Sequence, residues 1–456
     1  MRKKLRTKRC KFLKILLSVL LCFFWVYTSG GLAQSEIGFN NEVYKLRVLQ
    51  KIDSLVEAKY VYPQKAKLFA QEFRKTYEGG SYISFTDMRE FAGQVTADLI
   101  RITQDKHFNF RVIEPTDVGE EPQGSLHHPI RYHRLGIKEN NGFFKLEWLE
   151  GNIACLDFRR FYYFTDTRDL MNAAMKFMSN ANSIIIDLRE NGGGSGEYLS
   201  SYFLVYPTQL NSWYSREDDF LTEYWTIKEI GVERCTDVPL FILTSKRTFS
   251  AAESFAYDMK VRKRAVIIGD STKGGAHSVD LYKIDDLFEI YIPTSRAINP
   301  VTGTNWEGKG VIPDIIIPAE LALDTAIVMA KKAAEEYAQA KETKLTSAIK
   351  TMQLHMDNAE TLFRENQNTG AESALNSVFQ IAIQHDLVNV FFIDVLAYNY
   401  YSLKDEQILY AILKKKVELF PKSSAGYESL GYAYYKNNRI PQALTSFEKV
   451  LELDPD

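Results

Sequence analysis

Cysteine is scarce in this chain, with four in 456 residues, and two of those, Cys10 and Cys22, lie in the first 33. The other two, Cys155 and Cys235, stand alone in sequence and indicate no disulfide framework. Cys155 sits in the apolar run Ile153-Ala-Cys-Leu-Asp-Phe158 and reads as a small buried hydrophobe. The chain has no CxxC pair and no HExxH run, which removes the common zinc signatures, and neither metal nor other cofactor is expected. The glycine run Gly192-Gly-Gly194 lacks the Lys-Ser/Thr that completes a phosphate-binding loop. Positive charge is lacking too, once the first residues are set aside. The formal net charge is −2, and eight Lys and Arg residues lie between Arg2 and Lys14 with no acid among them, which leaves −2 − 8 = −10 for the rest. That balance argues against a nucleic-acid partner.

The basic head is followed by an apolar run, Ile15 to Tyr27, and a small-residue stretch ending at Ala33. This is the layout of a secretory signal over residues 1–33, so the mature chain is expected in the periplasm or outside the cell. The alternative is an uncleaved membrane anchor, although 13 apolar residues are short for a span.

Residues 34–115 read as a helical N-terminal domain. Val43, Leu46, Leu49, Ile52 and Leu55 recur at helical spacing. A connector is expected over 116–149, opening in a stretch rich in Pro, Gly and acids. From 150 to 335 short β-rich runs alternate with helical ones, which implies an α/β core with its chemistry in the loops after the strands. One unit runs from the strand Ser183–Leu188 through the glycine loop to a helix expected to reach Tyr206. Another runs from the strand Pro239–Ser245 to a helix starting near Ala251. A third strand, Ala265–Ile268, leads into Gly269-Asp-Ser-Thr-Lys-Gly-Gly-Ala-His277.

Residues 350–456 carry a repeat. Pro421 and Pro455, Leu396 and Leu430, Tyr400 and Tyr434, and Leu413 and Phe447 are each 34 residues apart. This is the tetratricopeptide period, and Ala425–Pro455 resembles that family. Such repeats stack into a groove suited to a protein partner, or dock on their own core.

Ser250 falls where a strand has turned into a helix. The free N–H groups of a first helical turn and the helix dipole favour negative charge there, which suits a nucleophile. Ser250-Ala-Ala-Glu253 is equally a capping box, and spacing leaves both readings open.

Four stretches occur in order: Ile184-Ile-Ile-Asp-Leu-Arg-Glu-Asn-Gly-Gly-Gly194, Thr248-Phe-Ser-Ala-Ala-Glu253, Gly269-Asp-Ser-Thr-Lys-Gly-Gly275 and Trp306-Glu-Gly-Lys-Gly-Val-Ile-Pro-Asp314. Together they resemble the catalytic domain of the tail-specific (C-terminal processing) serine peptidase superfamily. The resemblance implies a crotonase-like α/β core flanked by helices. It implies hydrolysis of peptides or unfolded proteins through an acyl-enzyme. One plan in that superfamily uses a Ser–Lys dyad. Gly275 stands at the lysine position here, with Lys273 two places early, and about 40 residues between His107 and the core leave no room for a PDZ domain. The other plan, that of the tricorn core and the interphotoreceptor retinoid-binding branch, implies Ser250 as nucleophile, His107 as base and Glu307 as the carboxylate orienting it. Gly193 and Ala251 would supply the oxyanion N–H groups. His277 is the rival base. Lys106 stands where tricorn-like enzymes carry a small hydroxyl. Because the retinoid-binding branch shares the core, a non-catalytic binder of apolar ligands or peptides is the alternative function.

Overall fold

The computed structural model describes residues 39–113, 127–196, 198–401 and 406–455. The expected signal over 1–33 and the opening of the expected connector therefore lie outside the described residues. Among the described residues no helix is long and apolar enough to cross a membrane. The chain divides into two units, one through Glu335 and one from Glu336.

The first unit opens with three helices, α1 (Glu42–Lys59), α2 (Pro63–Glu78) and α3 (Met88–Thr103). Their starts follow from local chemistry. The Asn41 side chain accepts from the Val43 N–H at 2.8 Å and Asp87 from Arg89 and Glu90 at 2.8 and 2.9 Å, while Pro63 occupies a first-turn position that needs no N–H. The buried face carries Val48, Ile52, Phe69, Phe73, Phe91 and Val95. It packs on Phe110 of β1 (Asn109–Val112) and on Phe288, Ile290 and Ile292 of β10 (Phe288–Ile298). The helices thus share a core with strands nearly 200 residues away. That tie fixes the short link between α3 and β1, which holds Asp105 and His107.

After α4 (His127–Lys138), a six-stranded sheet begins with β2 (Phe143–Leu149) and β3 (Ile153–Phe158). The described part of the expected connector, 127–149, therefore carries a helix and a strand, and β2 is an edge strand of the core sheet. Helix α5 (Phe164–Met178) leads to β4 (Ser183–Asp187), whose five residues are all buried, as a parallel strand covered on both faces requires. The helix after the glycine loop is one turn, α6 (Ser200–Phe203), and does not reach Tyr206. Leu204 is already extended, and the chain runs on to Pro207. Strands β5 (Gln209–Ser215) and β6 (Phe220–Trp225) follow, then β7 (Leu240–Thr244), α7 (Ala251–Val261), β8 (Val266–Gly269) and β9 (His277–Lys283). With β11 (Ile315–Ile316) the core sheet runs β11-β8-β7-β4-β3-β2, parallel except for β2.

A second sheet joins β1, β10, β5 and β6 in that order, with β9 also on β10, all antiparallel. Helix α8 (Ala319–Arg364) starts with buried Ala322, Ala326, Ala330 and Ala334 at one-turn spacing against Cys155, Ile185, Phe241 and Ile268. Cys155 is a free, buried thiol.

The second unit is helical: α9 (Asn368–Gln384), α10 (Val390–Tyr401), α11 (Glu406–Leu419), α12 (Ser424–Lys436) and α13 (Ile440–Leu453). The starts of α10 and α12 are 424 − 390 = 34 residues apart. Gly431 of α12 lies under the Phe447 ring, which a Cβ there would approach to 2.9 Å.

Candidate active site

The loops that follow β4, β7 and β8 carry the candidate residues, together with Asp105 and His107 from the α3–β1 link. Ser250 sits on the turn from β7 into α7 with φ 55° and ψ −118°, a region that a side chain rarely adopts. The glycine loop lies against it. A Cβ on Gly193 would be 2.8 Å from Ser250 Cβ and 3.2 Å from the Ala251 nitrogen, so this approach requires glycine. Asn191 pins the loop, its Nδ2 donating to the Phe158 carbonyl at 2.8 Å and its backbone carbonyl accepting from Phe249 N–H at 3.1 Å.

Ser250, Gly193 and Ala251, selected from sequence, are thus brought together. The Gly193 N–H, expected to face an oxyanion, instead donates to the Asn191 side-chain oxygen at 2.8 Å. The cause is local: Asn191 and Gly193 are two residues apart, the reach of a side-chain turn.

Glu253 is fully buried and ties three segments together. It accepts from the Ser250 N–H at 2.8 Å, the Gly274 and Gly275 N–H groups at 2.6 and 2.9 Å, and the Thr272 hydroxyl. Burial pushes its pKa up, against the pull of those donors. The return arm of the capping box is therefore made. Glu253 is a structural clamp between the serine turn and the 269–277 loop. Trp306 closes the other side of that loop, donating from Nε1 to the Gly275 carbonyl at 2.7 Å.

His107 stacks on Phe249, the neighbour of Ser250, with ring centroids 4.4 Å apart. Gly275 makes room for it, since a Cβ there would lie 2.5 Å from His107 Cε1 and 2.2 Å from the Phe249 ring. Lys273 instead places its Nζ 4.5 Å from the centroid of Phe249. Both ring nitrogens of His107 are buried and make no hydrogen bond among the described residues, to Ser250 or any other group.

The carboxylate beside His107 is not the expected one. Asp105 Oδ1 accepts the His107 backbone N–H at 3.0 Å and lies 3.7 Å from Nδ1. Glu307 is drawn elsewhere. Its Oε2 accepts the Ala276 N–H at 2.6 Å and lies 3.5 Å from His277 Nδ1. Among the described residues no Glu307 oxygen comes within 4.0 Å of a His107 nitrogen. Burial and the nearby Asp105 charge push Glu307 up to about 7.

His277, the rival base, is buried with its Nδ1 2.5 Å from Asp105 Oδ2 and its Nε2 3.4 Å from the Tyr62 hydroxyl. Burial alone would raise Asp105, but its interactions with His107 and His277 outweigh it and hold the carboxyl below the usual range. Asp105 was not among the site residues expected from the sequence. The signal for it was its place two residues before His107, at the end of a helix. The acids and His277 (Asp105, His277 and Glu307) form the one group among the described residues with metal-ligating spacing. The short His277–Asp105 contact is that of a hydrogen bond, tighter than the roughly 3.3 Å that separates two ligands of one tetrahedral zinc.

Residues 152–317 match peptidase family S41, and residues 37–141 match the N-terminal domain of S41 peptidases in eukaryotic IRBP. The chain is 28% identical over 273 residues to a tail-specific protease of Haemophilus influenzae, covering 55% of this chain and 37% of that protein. It is 25% identical over 164 residues to the chloroplastic carboxyl-terminal-processing peptidase 2 of Arabidopsis thaliana, covering 32% and 28%. It thus spans about a third of the length of these relatives. Among solved structures it is similar to a photosystem II D1 C-terminal processing protease, with TM-score 0.39 and 16% identity, over 60% of this chain and 93% of that one. The tricorn protease gives TM-score 0.39 and 12% identity, over 66% of this chain and 37% of that one.

Proposed function

Because residues 152–317 match peptidase family S41 and residues 37–141 match its N-terminal domain, we propose that the chain is a serine peptidase acting on peptides or unfolded proteins through an acyl-enzyme, with Ser250 as nucleophile. The observation that carries this reading is the strained turn at Ser250, held between Gly193 and the first N–H of α7. Strain of this kind persists where the surroundings enforce it.

In the proposed cycle, Ser250 Oγ attacks the scissile carbonyl carbon while His107 takes its proton. The oxyanion is held by the Ala251 N–H and by the Gly193 N–H once that donor leaves Asn191. His107 returns the proton to the leaving amine, and the C–N bond breaks. Water then repeats the sequence on the ester. His107 is placed for this by its ring contact with Phe249, the neighbour of Ser250; among the described residues neither ring nitrogen makes a hydrogen bond in the resting site, so a proton acceptor is available to the serine hydroxyl. Asp105 takes the orienting part expected of Glu307.

The retained serine, histidine and carboxylates favour this reading over a non-catalytic binder. The 34-residue recurrence of helix starts supports tetratricopeptide-like repeats in the second unit, suited to a protein partner. Export with loss of residues 1–33 completes the proposal. The deciding experiment is labelling of the mature protein with a fluorophosphonate probe, with the modified residue located by mass spectrometry. Modification at Ser250 supports the proposal, and a protein that neither labels there nor cleaves a peptide pool returns it to the binding class.

A further inference from the structure

Lys106 stands where tricorn-like sequences place a small hydroxyl, so the contact expected to polarise the base from that position is missing. The Lys106 side chain turns away, and its Nζ donates to the Lys273 carbonyl. Glu307 does not reach His107 either. The gap between them is filled by a residue from the other sheet. His277 opens β9, and its register opposite Arg296 of β10 aims the imidazole back toward the α3–β1 link. Nδ1 meets Asp105 Oδ2 at 2.5 Å on one side and Glu307 Oε2 at 3.5 Å on the other.

Resting on the peptidase reading above, we propose that His277 is a positioning residue. Its Nδ1–H fixes the Asp105 carboxylate, and Asp105 in turn faces the His107 ring, so the order through the site is Ser250, His107, Asp105, His277, Glu307. Three features of the geometry support this. The two Asp105 oxygens are divided between the two histidines, Oδ1 to the His107 backbone N–H and Oδ2 to His277. Asp105 and the His277 side chain are each only 1% exposed, so no bulk water can replace either partner. With Nδ1 as donor, neutral His277 has Nε2 as acceptor, and the Tyr62 hydroxyl lies 3.4 Å away to donate to it. The Asp105 carboxylate, an acceptor only, sets the proton on Nδ1, and the Tyr62 hydroxyl fits an accepting Nε2.

The consequence is specific to the Nδ1 position. An asparagine amide nitrogen lies close to where an imidazole Nδ1 sits, whereas the glutamine amide reaches toward Nε2. His277→Asn is expected to keep Asp105 in place, and His277→Gln is expected to release it. The experiment uses the full mature chain. It measures the rate of fluorophosphonate labelling at Ser250 and steady-state hydrolysis of a peptide, with thermal melts on every variant. For His277→Gln and His277→Ala, labelling and kcat are expected to fall about 10–100-fold while KM stays within about twofold, the size of effect seen when outer partners of a working histidine are removed. His277→Asn is expected to recover most of the loss. A parent that labels at Ser250 together with a folded His277→Gln that labels at the parental rate overturns the assignment alone. Equal losses in the Asn and Gln variants also overturn it, because they indicate packing in place of an Nδ1 contact. A parent that fails to label at Ser250 overturns the peptidase reading and this assignment with it.

Discussion

The Cε1 atom of His107 lies 2.5 Å from where a Cβ on Gly275 would stand. Gly275 therefore makes room for the histidine, and on the proposed reading a side chain at 275 and the imidazole of His107 exclude each other. Any side chain at 275 must displace the His107 ring, the Phe249 ring, or both. Gly275→Ala is expected to lower hydrolysis at least about 100-fold, since a displacement of this size separates base from nucleophile. It is also expected to cost about 1–3 kcal/mol through overpacking. Gly275→Lys is expected to do no better, because the turn at Ser250 has formed around the imidazole. Peptide hydrolysis with parallel urea melts reads both effects, and an active Gly275→Lys would show that the lysine plan can be restored.

Lys273 tests the same point from the other side. Its Nζ lies over the Phe249 ring, 4.5 Å from the centroid, on a side chain that does not occupy the 275 position. Lys273→Ala is expected to keep most hydrolysis and to lose about 0.5–1 kcal/mol of stability with the cation–π contact. His107→Ala is expected to remove hydrolysis. The opposite pair of results would assign the proton transfer to Lys273.

Much of this site was legible because it is local in sequence. The Ser250 turn, the glycine loop and the 269–277 stretch each contain their own geometry, and their order along the chain sets them side by side at the ends of β4, β7 and β8. His107 was named only through the resemblance to the tricorn-like plan. The partner of His107 was not, because it depends on which way β9 folds back. Glu307 and Asp105 are both acids near the right places, and only the hydrogen bonds to Ala276 and His277 show that Glu307 faces the far side. The second sheet was illegible for a related reason. Strands β5 with β6 and β9 with β10 are local antiparallel pairs, but they join one sheet only through the long-range pairing of β10 with β5 and β1, and the alternation of strand and helix in the core gave no hint of them. Strand β2 was lost in the connector because its burial is mostly partial, as on an edge.

Glu307 predicts a pH effect on stability. Its pKa rises from the ordinary 4.5 to about 7 in the folded state, chiefly through burial and then through the Asp105 charge. Between those values the folded protein binds more protons than the unfolded one, so stability falls as pH rises through that window and levels off above it. The contribution is on the order of 3 kcal/mol at full development. Glu307→Gln keeps an acceptor for the Ala276 N–H and removes the titration. Urea unfolding from about pH 4.5 to pH 8 is expected to show the parent losing stability relative to the Gln variant, with a constant gap above pH 7. Parallel curves would mean that Glu307 titrates as an ordinary carboxyl.

The basic head and 13-residue apolar run predict cleavage after Ala33. N-terminal sequencing of the exported form is expected to begin near Gln34. A form that begins at Met1 and pellets with membranes would assign the segment as an anchor.

Ser250 is where the capping role and the nucleophilic role make different demands. The Ser250 N–H is held by Glu253 whatever the side chain at 250, so this arm of the cap survives substitution. Backbone at φ 55° and ψ −118° costs a non-glycine residue on the order of 1–3 kcal/mol. A site built only for capping has no reason to keep that strain, because Ser, Asn and Asp cap well from extended backbone. Ser250→Gly is therefore expected to raise the melting temperature while ending hydrolysis. Ser250→Asn supplies a capping oxygen and no attacking hydroxyl, so it is expected to fold and to be inactive. Ser250→Ala is expected to be inactive and, where the side-chain cap contributes, less stable by about 1 kcal/mol. Residual turnover above the water rate is expected in all three, since the oxyanion donors remain. The measurements are hydrolysis of an unstructured peptide pool and thermal melts on the same preparations. If Ser250→Asn cleaves as fast as the parent, or if Ser250→Gly is less stable than the parent, the strain at Ser250 is not held for chemistry and the serine is a cap.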